Sequence, residues 1–582
     1  MKEPRGSDEL VFTSHLHAAR CQRRDRGNRR EHAGSGEVTP ACDGCLCDRR
    51  MVGKKHVVVV VLGDAGRSPR MSYHALSLLQ NGCDVTLVGY RGSALIPQLA
   101  EFAAGDGDIL EDGVAIASRE RRGRARAAAP RFRFVPIPMH PRTAAFNAFK
   151  PLKALFQLVT LFVVLLFRCP GAHVLLLQIP PAIPTMLVCI VVTFLRRMRL
   201  VFDWHNFGHT LMGYHGGAGK RGRVGVMQRV ARAYETALGP MADGNLCVTN
   251  AMRRVLKEEY RGTLATTFYD RPKADVFRGR TPVRAGVALL QDLVENELHQ
   301  EDSSPRRPNS ALVVAWLHAV MDRMRQFDRI HDGKKKGWDK PPEVSPGCKI
   351  TGRSGGVTTR RGSKKREAAN TDYDTHTDAD VDIGRKANTL AQRAALLMVS
   401  STSWTPDEDF SILLDAMVKY DERAASNQSL PCLVLFVTGK GPLKDYYVEK
   451  VDRLRLSYVA IRTVWLEPED YPRLLGCADL GVSLHASSSG VDLPMKVVDM
   501  FGAQMPVAAL GYPCLAEEMV EDGKNGVVFS SSDELCQKLE NLLVDDWSAL
   551  KRMQEYVKIR GHGSWETEWR TKAKRVILGE YL

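Results

Sequence analysis

The chain reads as an α/β protein of two Rossmann-like halves facing each other across a crevice, with a long insertion between them. Three observations predict this. Continuous apolar runs such as HVVVVVL (56–62) and ALLMVSST (395–402) mark strands buried on both faces of a parallel sheet. Loops and helix-period segments alternate with such runs, which is the rhythm of βαβ units. The stretch from about 280 to 392 loses that rhythm and fills with Arg, Lys, Gly, Asp and Thr, separating one series from the next. A length of 582 residues suits several domains, at roughly 100–200 residues each.

Residues 1–53 form a basic, polar arm with no apolar run that could serve as a secretory signal. The first α/β domain is placed at 54–278. It opens with the strand His56–Leu62, the loop GDAGRSP, a helix near Arg70–Gln80, a stop at Gly82 and a strand at Asp84–Tyr90. HVLLLQIP (173–180), the helix after it, LVFDWHN (200–206) and NLCVTN (245–250) continue the pattern. Residues 279–392 are read as a largely disordered insertion in which only Ala311–Met324 looks helical. The second domain, 393–560, alternates strand ALLMVSST, helix Asp409–Tyr420, strand CLVLFVTG, helix Leu443–Leu456, strand IRTVWL and strand Leu480–Leu484. Residues 561–582 are a C-terminal helix placed to return to the first domain.

The net charge of +15 is concentrated at 20–30, 119–133 and 333–366. Charge blocks without apolar periodicity are solvated arms, and no aromatic residues interleave to stack bases, so nucleic acid is not an expected partner. Attraction to acidic phospholipid, about 1 kcal/mol per basic residue near the surface, suits the charge at least as well. The thirteen cysteines are scattered, which excludes a small disulfide scaffold and points to a reducing compartment. The cluster Cys42–Cys45–Cys47 lacks a second ligand pair at zinc spacing. Two apolar stretches, Ala154–Phe167 and Ala182–Leu195, reach only about 21 Å as helices, short of a hydrocarbon core of about 30 Å. The second reads as a buried helix. The first reads as an in-plane membrane helix with Leu161, Val164 and Leu165 in lipid.

The densest chemistry lies at 476–504, GCADLGVSLHASSSGVDLPMKVVDMFGAQ. A strand runs into a Ser/Gly loop, and Pro494 opens a helix carrying Lys496 and Asp499. A loop feeding a helix N-terminus offers free N–H groups to an anion. Ser487, Ser488, Ser489 and Lys496 suit a diphosphate beside it, and Asp499, one turn further in, suits sugar hydroxyls. In VTGKGPL a strand ends in Gly439-Lys440-Gly441 before Pro442; the glycines let the backbone approach an anion and Lys440 adds charge. Ser401, Thr402 and Ser403 end another strand at the same rim, either as hydroxyl donors or as helix caps. Together these make the donor half of a nucleotide-sugar enzyme.

Six collinear blocks, LGDAGRSPRMSYHALSL (62–78), FDWHNFGHTLM (202–212), CVTNAMR (247–253), SSTSWTPDEDFSILLDA (400–416), VTGKGPLKDYY (437–447) and WLEPEDYPRLLGCADLGVSLHASSSGVDLPMKVVDMFG (465–502), together resemble one family. It is the chitobiosyldiphosphodolichol β-mannosyltransferase family of asparagine-linked glycosylation. The resemblance covers about 54–275 and 393–575. It implies the two-domain GT-B fold and transfer of mannose from GDP-mannose to dolichyl-diphosphate chitobiose on the cytosolic face of the endoplasmic reticulum membrane. Other early lipid-linked-oligosaccharide mannosyltransferases are conceivable partners. No metal is expected to be obligatory, though a divalent cation could stimulate. A GT-B transferase of another nucleotide sugar or acceptor is the alternative.

Related retaining transferases carry two glutamates eight residues apart in this element. Asp499 falls where the second lies and Val491 where the first would, so only the nucleotide-binding role carries over. An α-linked donor and a β-linked product imply inversion in one displacement, which needs a base for the acceptor hydroxyl. Asp203 and His205, on the same side of a strand end, are alternatives for that base; Asp64, His74 and Glu235 are further options, with His74 and His485 weighed more as structural histidines. Gly63, Gly66, Arg67, Ser68 and Arg70 suit the lipid diphosphate of the acceptor. Family members carry an apolar N-terminal anchor, whereas Met1–Arg50 is basic and polar; either the start is incorrect or attachment rests on Ala154–Phe167 and basic surface.

Overall fold

The computed structural model describes residues 54–102, 130–139, 150–214, 221–272, 276–277, 279–299, 310–333, 393–561 and 563–580. The N-terminal arm, Cys42–Cys45–Cys47 and most of the charge blocks lie outside the described residues. The first sheet contains β1 (His56–Asp64), β2 (Asp84–Tyr90), β3 (Phe132–Pro136), β4 (Val174–Ile179), β5 (Arg199–Trp204), β6 (Gly244–Cys247) and β7 (Thr266–Thr267), in the order β3-β2-β1-β4-β5-β6-β7. The second contains β8 (Ala395–Ser401), β9 (Cys432–Thr438), β10 (Val459–Val464), β11 (Leu480–Ser483), β12 (Val507–Leu510) and β13 (Gly526–Phe529), in the order β10-β9-β8-β11-β12-β13. All pairings in both sheets are parallel. This is the doubly wound order, whose ligands bind beyond the carboxyl ends of the strands, and two such domains make the GT-B fold.

Each central strand is apolar on both faces because both faces are covered. Val57, Val59 and Val61 of β1 pack toward helix Pro69–Gln80, while Val58, Val60 and Leu62 pack toward helices Lys150–Phe167 and Thr185–Arg196. Gly82, at φ 85°, turns the chain after helix Pro69–Gln80, a conformation with little cost for glycine. The helix that follows Asp409 starts at Phe410, with the Asp409 carboxylate accepting from Ser411 N–H, a standard N-cap.

The C-terminal residues cross back onto the first domain. Trp565, Trp569, Ile577 and Leu578 enter the same core cluster as Val57 and Leu176. Trp565 Nε1 donates to Ser77 Oγ (2.9 Å) and Trp569 Nε1 to His74 Nδ1 (2.9 Å). The Arg199 guanidinium donates to Val576 O, satisfying a carbonyl in the last helical turn.

Two expectations need correction. Leu161, Val164 and Leu165 were assigned to lipid, but they are 0 %, 5 % and 1 % exposed and pack in the core against β4 and helix Thr185–Arg196. The helix is apolar all round, so composition could not say which face meets the sheet; the outward face is Leu155, Val159, Val163 and Phe167. The insertion, in turn, is partly folded. Helices Val283–His299 and Ser310–Gly333 bury Leu290, Trp316, Leu317, Val320 and Met321 in one cluster with Leu397 and Val399 of β8. Helix Ser310–Gly333 contains the expected Ala311–Met324; the apolar spacing of Val283–His299 is helical as well, but the charged segments around it mask it. Residues 334–392 lie outside the described residues.

Candidate active site

At the first domain's rim, β5 delivers Asp203 and His205 two residues apart on one side. Asp203 is fully buried and receives four contacts. Arg70, from helix Pro69–Gln80, donates Nε to Oδ2 (2.8 Å) and Nη2 to Oδ1 (2.9 Å). His205 Nε2 lies 2.9 Å and His74 Nε2 3.3 Å from Oδ2. Burial alone would raise this carboxyl, but the Arg70 charge and the two histidines outweigh burial and hold it well below the usual carboxylate range. Because His74 Nδ1 accepts from Trp569, its remaining proton sits on Nε2 and faces Asp203. His205 likewise turns Nε2 to the carboxylate, which leaves Nδ1 as the nitrogen able to accept a proton.

Arg70 departs from the diphosphate-binding expectation. It is 3 % exposed, and its other end donates to Asp270 (2.7 Å), so both edges of the guanidinium are already taken by carboxylates. Arg67 does project, with an 81 % exposed side chain. Ser68 Oγ donates to Gln178 Oε1 (2.6 Å). Gly66 is required by packing: a Cβ there would sit 2.3 Å from Ser93 O. Gly63 stands in open β1 backbone without such a constraint. Of the further base options, Asp64 accepts from Gly66 N–H, Ser93 N–H and Ser93 Oγ and shapes this loop. His74 is a core residue, tilted against the Phe268 ring and edge-on to Trp565. Glu235 is buried, bound by His209 and Tyr260.

On the second domain, Lys496 lies in helix Met495–Gly502, for which Pro494 is the N-cap rather than the first residue. Lys496 Nζ pairs with Glu408 and donates to Ser403 Oγ (3.2 Å). Glu408 is held in turn by Thr402 Oγ1 (2.9 Å) and Ser403 N–H. Ser401 bonds Tyr471 (3.0 Å), so of the three rim hydroxyls only Ser403 touches the lysine. Gly439 and Gly441 let the adjoining turn close on this loop, since a Cβ on either would overlap Thr402 O or Ser403 O. Lys440 rests over the Trp465 ring at 3.5 Å, and the helix that follows begins at Lys444, not Pro442.

The serine loop is organised by the residue that follows Val491. Asp492 accepts from Ser487 and from Ser489 (3.1 Å), and His485 Nε2 lies 3.1 Å away. Burial would raise its carboxyl, but His485 and the two hydroxyls lower it. Ser488 instead spans the crevice, 3.4 Å from Asn206 Nδ2 and 3.3 Å from Thr210 Oγ1. Asp499 faces Tyr471 and Asp270; burial, then the Asp270 charge, push it up to about 7 against the Tyr471 hydrogen bond.

A cleft of about 410 Å³ runs between these rims, with Arg67, Ser68, Gln178 and His205 on one wall and Ser403, Glu408, Asp492 and Lys496 on the other. Glu408, Asp492, Asp270 and Gln178 were missed as site residues. Only Glu408, in the acidic PDED run after SSTSW, had a local signal. Among the described residues no group of three or more His, Cys, Asp or Glu is placed to hold a metal ion.

Residues 393–545 match the family model described as glycosyl transferases group 1. An Arabidopsis thaliana protein named UDP-glycosyltransferase TURAN is 37 % identical over 90 % of this chain and 98 % of its own length. The chitobiosyldiphosphodolichol beta-mannosyltransferases of Mus musculus and Homo sapiens are 36 % and 35 % identical over 89 % and 90 % of this chain and 89 % and 92 % of theirs. Among solved structures, WaaG, a glycosyltransferase involved in lipopolysaccharide biosynthesis, aligns over 90 % of this chain and 100 % of that one at 12 % identity and TM-score 0.46. The extent and level of the sequence matches, over a two-sheet fold with a shared cleft, establish that this glycosyltransferase chain belongs to the chitobiosyldiphosphodolichol beta-mannosyltransferase family.

Proposed function

We propose that this chain moves mannose from GDP-mannose to dolichyl-diphosphate chitobiose, forming a β-1,4 linkage with inversion, at the cytosolic face of the endoplasmic reticulum membrane. The observation that carries the reading is the cleft itself, where His205 on one wall faces Lys496 on the other. His205 Nδ1 takes the proton of the acceptor hydroxyl while Asp203 holds the ring by its other nitrogen and steadies the imidazolium that forms. The acceptor oxygen attacks the anomeric carbon as its bond to the diphosphate breaks, and GDP leaves with the bonding electrons. Lys496, loosened from Glu408, and Lys440 offset the charge on the leaving diphosphate. Asp499 suits nucleotide hydroxyls, and Arg67 and Ser68 suit the acceptor diphosphate. Arg70 serves by fixing Asp203.

No metal is obligatory in this reading, because Lys496 and Lys440 supply the positive charge that the leaving diphosphate needs. A divalent cation could still stimulate. Purified protein is incubated with lipid-linked chitobiose and either GDP-mannose or UDP-sugars, with and without chelator. Expected is a single added hexose with GDP-mannose alone, removable by β-mannosidase and not abolished by chelation. The relative named as a UDP-glycosyltransferase makes transfer from a UDP-sugar the competing reading, and such a product would displace the first.

A further inference from the structure

Leu155, Val159, Val163 and Phe167, spaced four residues apart, are between 44 % and 69 % exposed along one stripe of helix Lys150–Phe167. Leu187, Val191 and Leu195 repeat the spacing on the outward side of helix Thr185–Arg196. The two helices are neighbours, tied by Arg196 Nη1 donating to Leu165 O (3.2 Å) and Cys169 O (2.6 Å). Both precede parallel strands of one sheet on the same face, so they run side by side and their stripes form a single apolar flank. A monomeric soluble surface seldom leaves two adjoining stripes of this kind uncovered.

We propose that this flank seats on the surface of an anionic lipid bilayer, in the plane of the interface. Charge chooses the occupant. From Arg121 to Phe202 the sequence contains no aspartate or glutamate, while Lys153, Arg168 and Arg197 are exposed beside the stripes. An apolar face edged with cations, built from a stretch of chain without acids, matches acyl chains beneath anionic headgroups. A protein partner bearing its own basic rim would be repelled. No described helix is long and apolar enough to cross a membrane, which fits a surface rather than a span. Position agrees as well. Helix Thr185–Arg196 starts just beyond the carboxyl end of β4, whose Gln178 lines the cleft, so the flank runs from the cleft's mouth outward by about 18 Å. This choice of partner rests on the proposed lipid-linked acceptor, which could then enter the cleft without leaving the bilayer.

The test is flotation of the full-length protein with vesicles of phosphatidylcholine and phosphatidylserine containing no acceptor. Wild type floats, less so at high salt, and the variant Val159→Ser/Val163→Ser/Leu187→Ser/Val191→Ser loses binding about tenfold or more. Its melting temperature stays at the wild-type value, because exposed side chains contribute little to folding. Leu161→Asp, aimed at the buried face, unfolds instead. Wild type that fails to float, or a quadruple variant that floats as well as wild type, overturns the proposal. So does a wild-type dimer that the variant abolishes, since a second copy would then cover the flank. Vesicle binding that persists without mannose transfer defeats the functional reading and leaves the surface standing.

Discussion

Asp203 and His205 divide the labour at one strand end, and variants separate their roles. His205→Ala should lower kcat about 10²–10⁴-fold with the KM for GDP-mannose and the melting temperature near wild type; an undiminished kcat removes His205 as the base. Asp203→Asn should cost stability too, at the lower end of about 3–5 kcal/mol, because Arg70 keeps only Asp270; calorimetry would show it. Asp499 gives a pH signature. Its carboxyl is raised from 3.8 to about 7, so in the ligand-free protein stability is fully present below 3.8 and is lost as pH climbs toward 7. Asp499→Asn removes that loss. The variant's gain in unfolding free energy should therefore grow between pH 4 and 7 and level off above, reaching on the order of 2–4 kcal/mol; a pH-independent difference would sink the assignment. The pairing of Asp203 with His205 was legible because residues two apart on a strand share a face. The arginine that fixes them was not, since Arg70 lies 133 positions from Asp203 and beside Arg67 resembles a phosphate ligand.

At the scale of elements, strands were read well because a run of Val, Ile and Leu between turn residues has few other uses. Helix Pro69–Gln80 announced itself by Pro69 and Gly82. Orientation was harder. Helix Lys150–Phe167 has apolar residues all round, and only the packed sheet decides that Leu161 and Leu165 go in while Val159 and Val163 stay out. Within the insertion the helix around Ala311–Met324 was legible, whereas Val283–His299 was diluted by charged sequence. This sets where the chain can be cut. Arg323 donates to Ala395 O (2.6 Å), so helix Ser310–Gly333 ends within roughly 20–25 Å of the start of β8, and removing 340–386 leaves enough chain to span it. That deletion should keep the melting temperature and mannose transfer. Extending it back to Val283 removes Trp316, Leu317 and Met321 from the core, at about 2–5 kcal/mol for each large side chain, and should yield no soluble protein. Solubility of the longer deletion would contradict the packing described.

Over the whole molecule, the chain crosses between domains twice, once near Asp270 and again beyond Arg560. The first crossing also carries polar contacts: Glu518 of the second domain accepts from Asn250 N–H (2.7 Å), Ala251 N–H (2.6 Å) and the Tyr269 hydroxyl (2.7 Å), capping a first-domain helix. The second makes the first domain depend on residues at the far end of the sequence. Trp569→Ala should cost about 3–5 kcal/mol and expose the first domain to protease before the second; equal protection in limited proteolysis would count against the dependence. That dependence has an order in time. A ribosome adding roughly 5–20 residues per second needs tens of seconds to pass from β7 to Trp565. Throughout that interval the sheet face around Leu176, Phe268 and His74 lacks the tryptophans that cover it. The first domain to emerge is thus the last to be finished, and that face stays uncovered until Trp565 and Trp569 have been made.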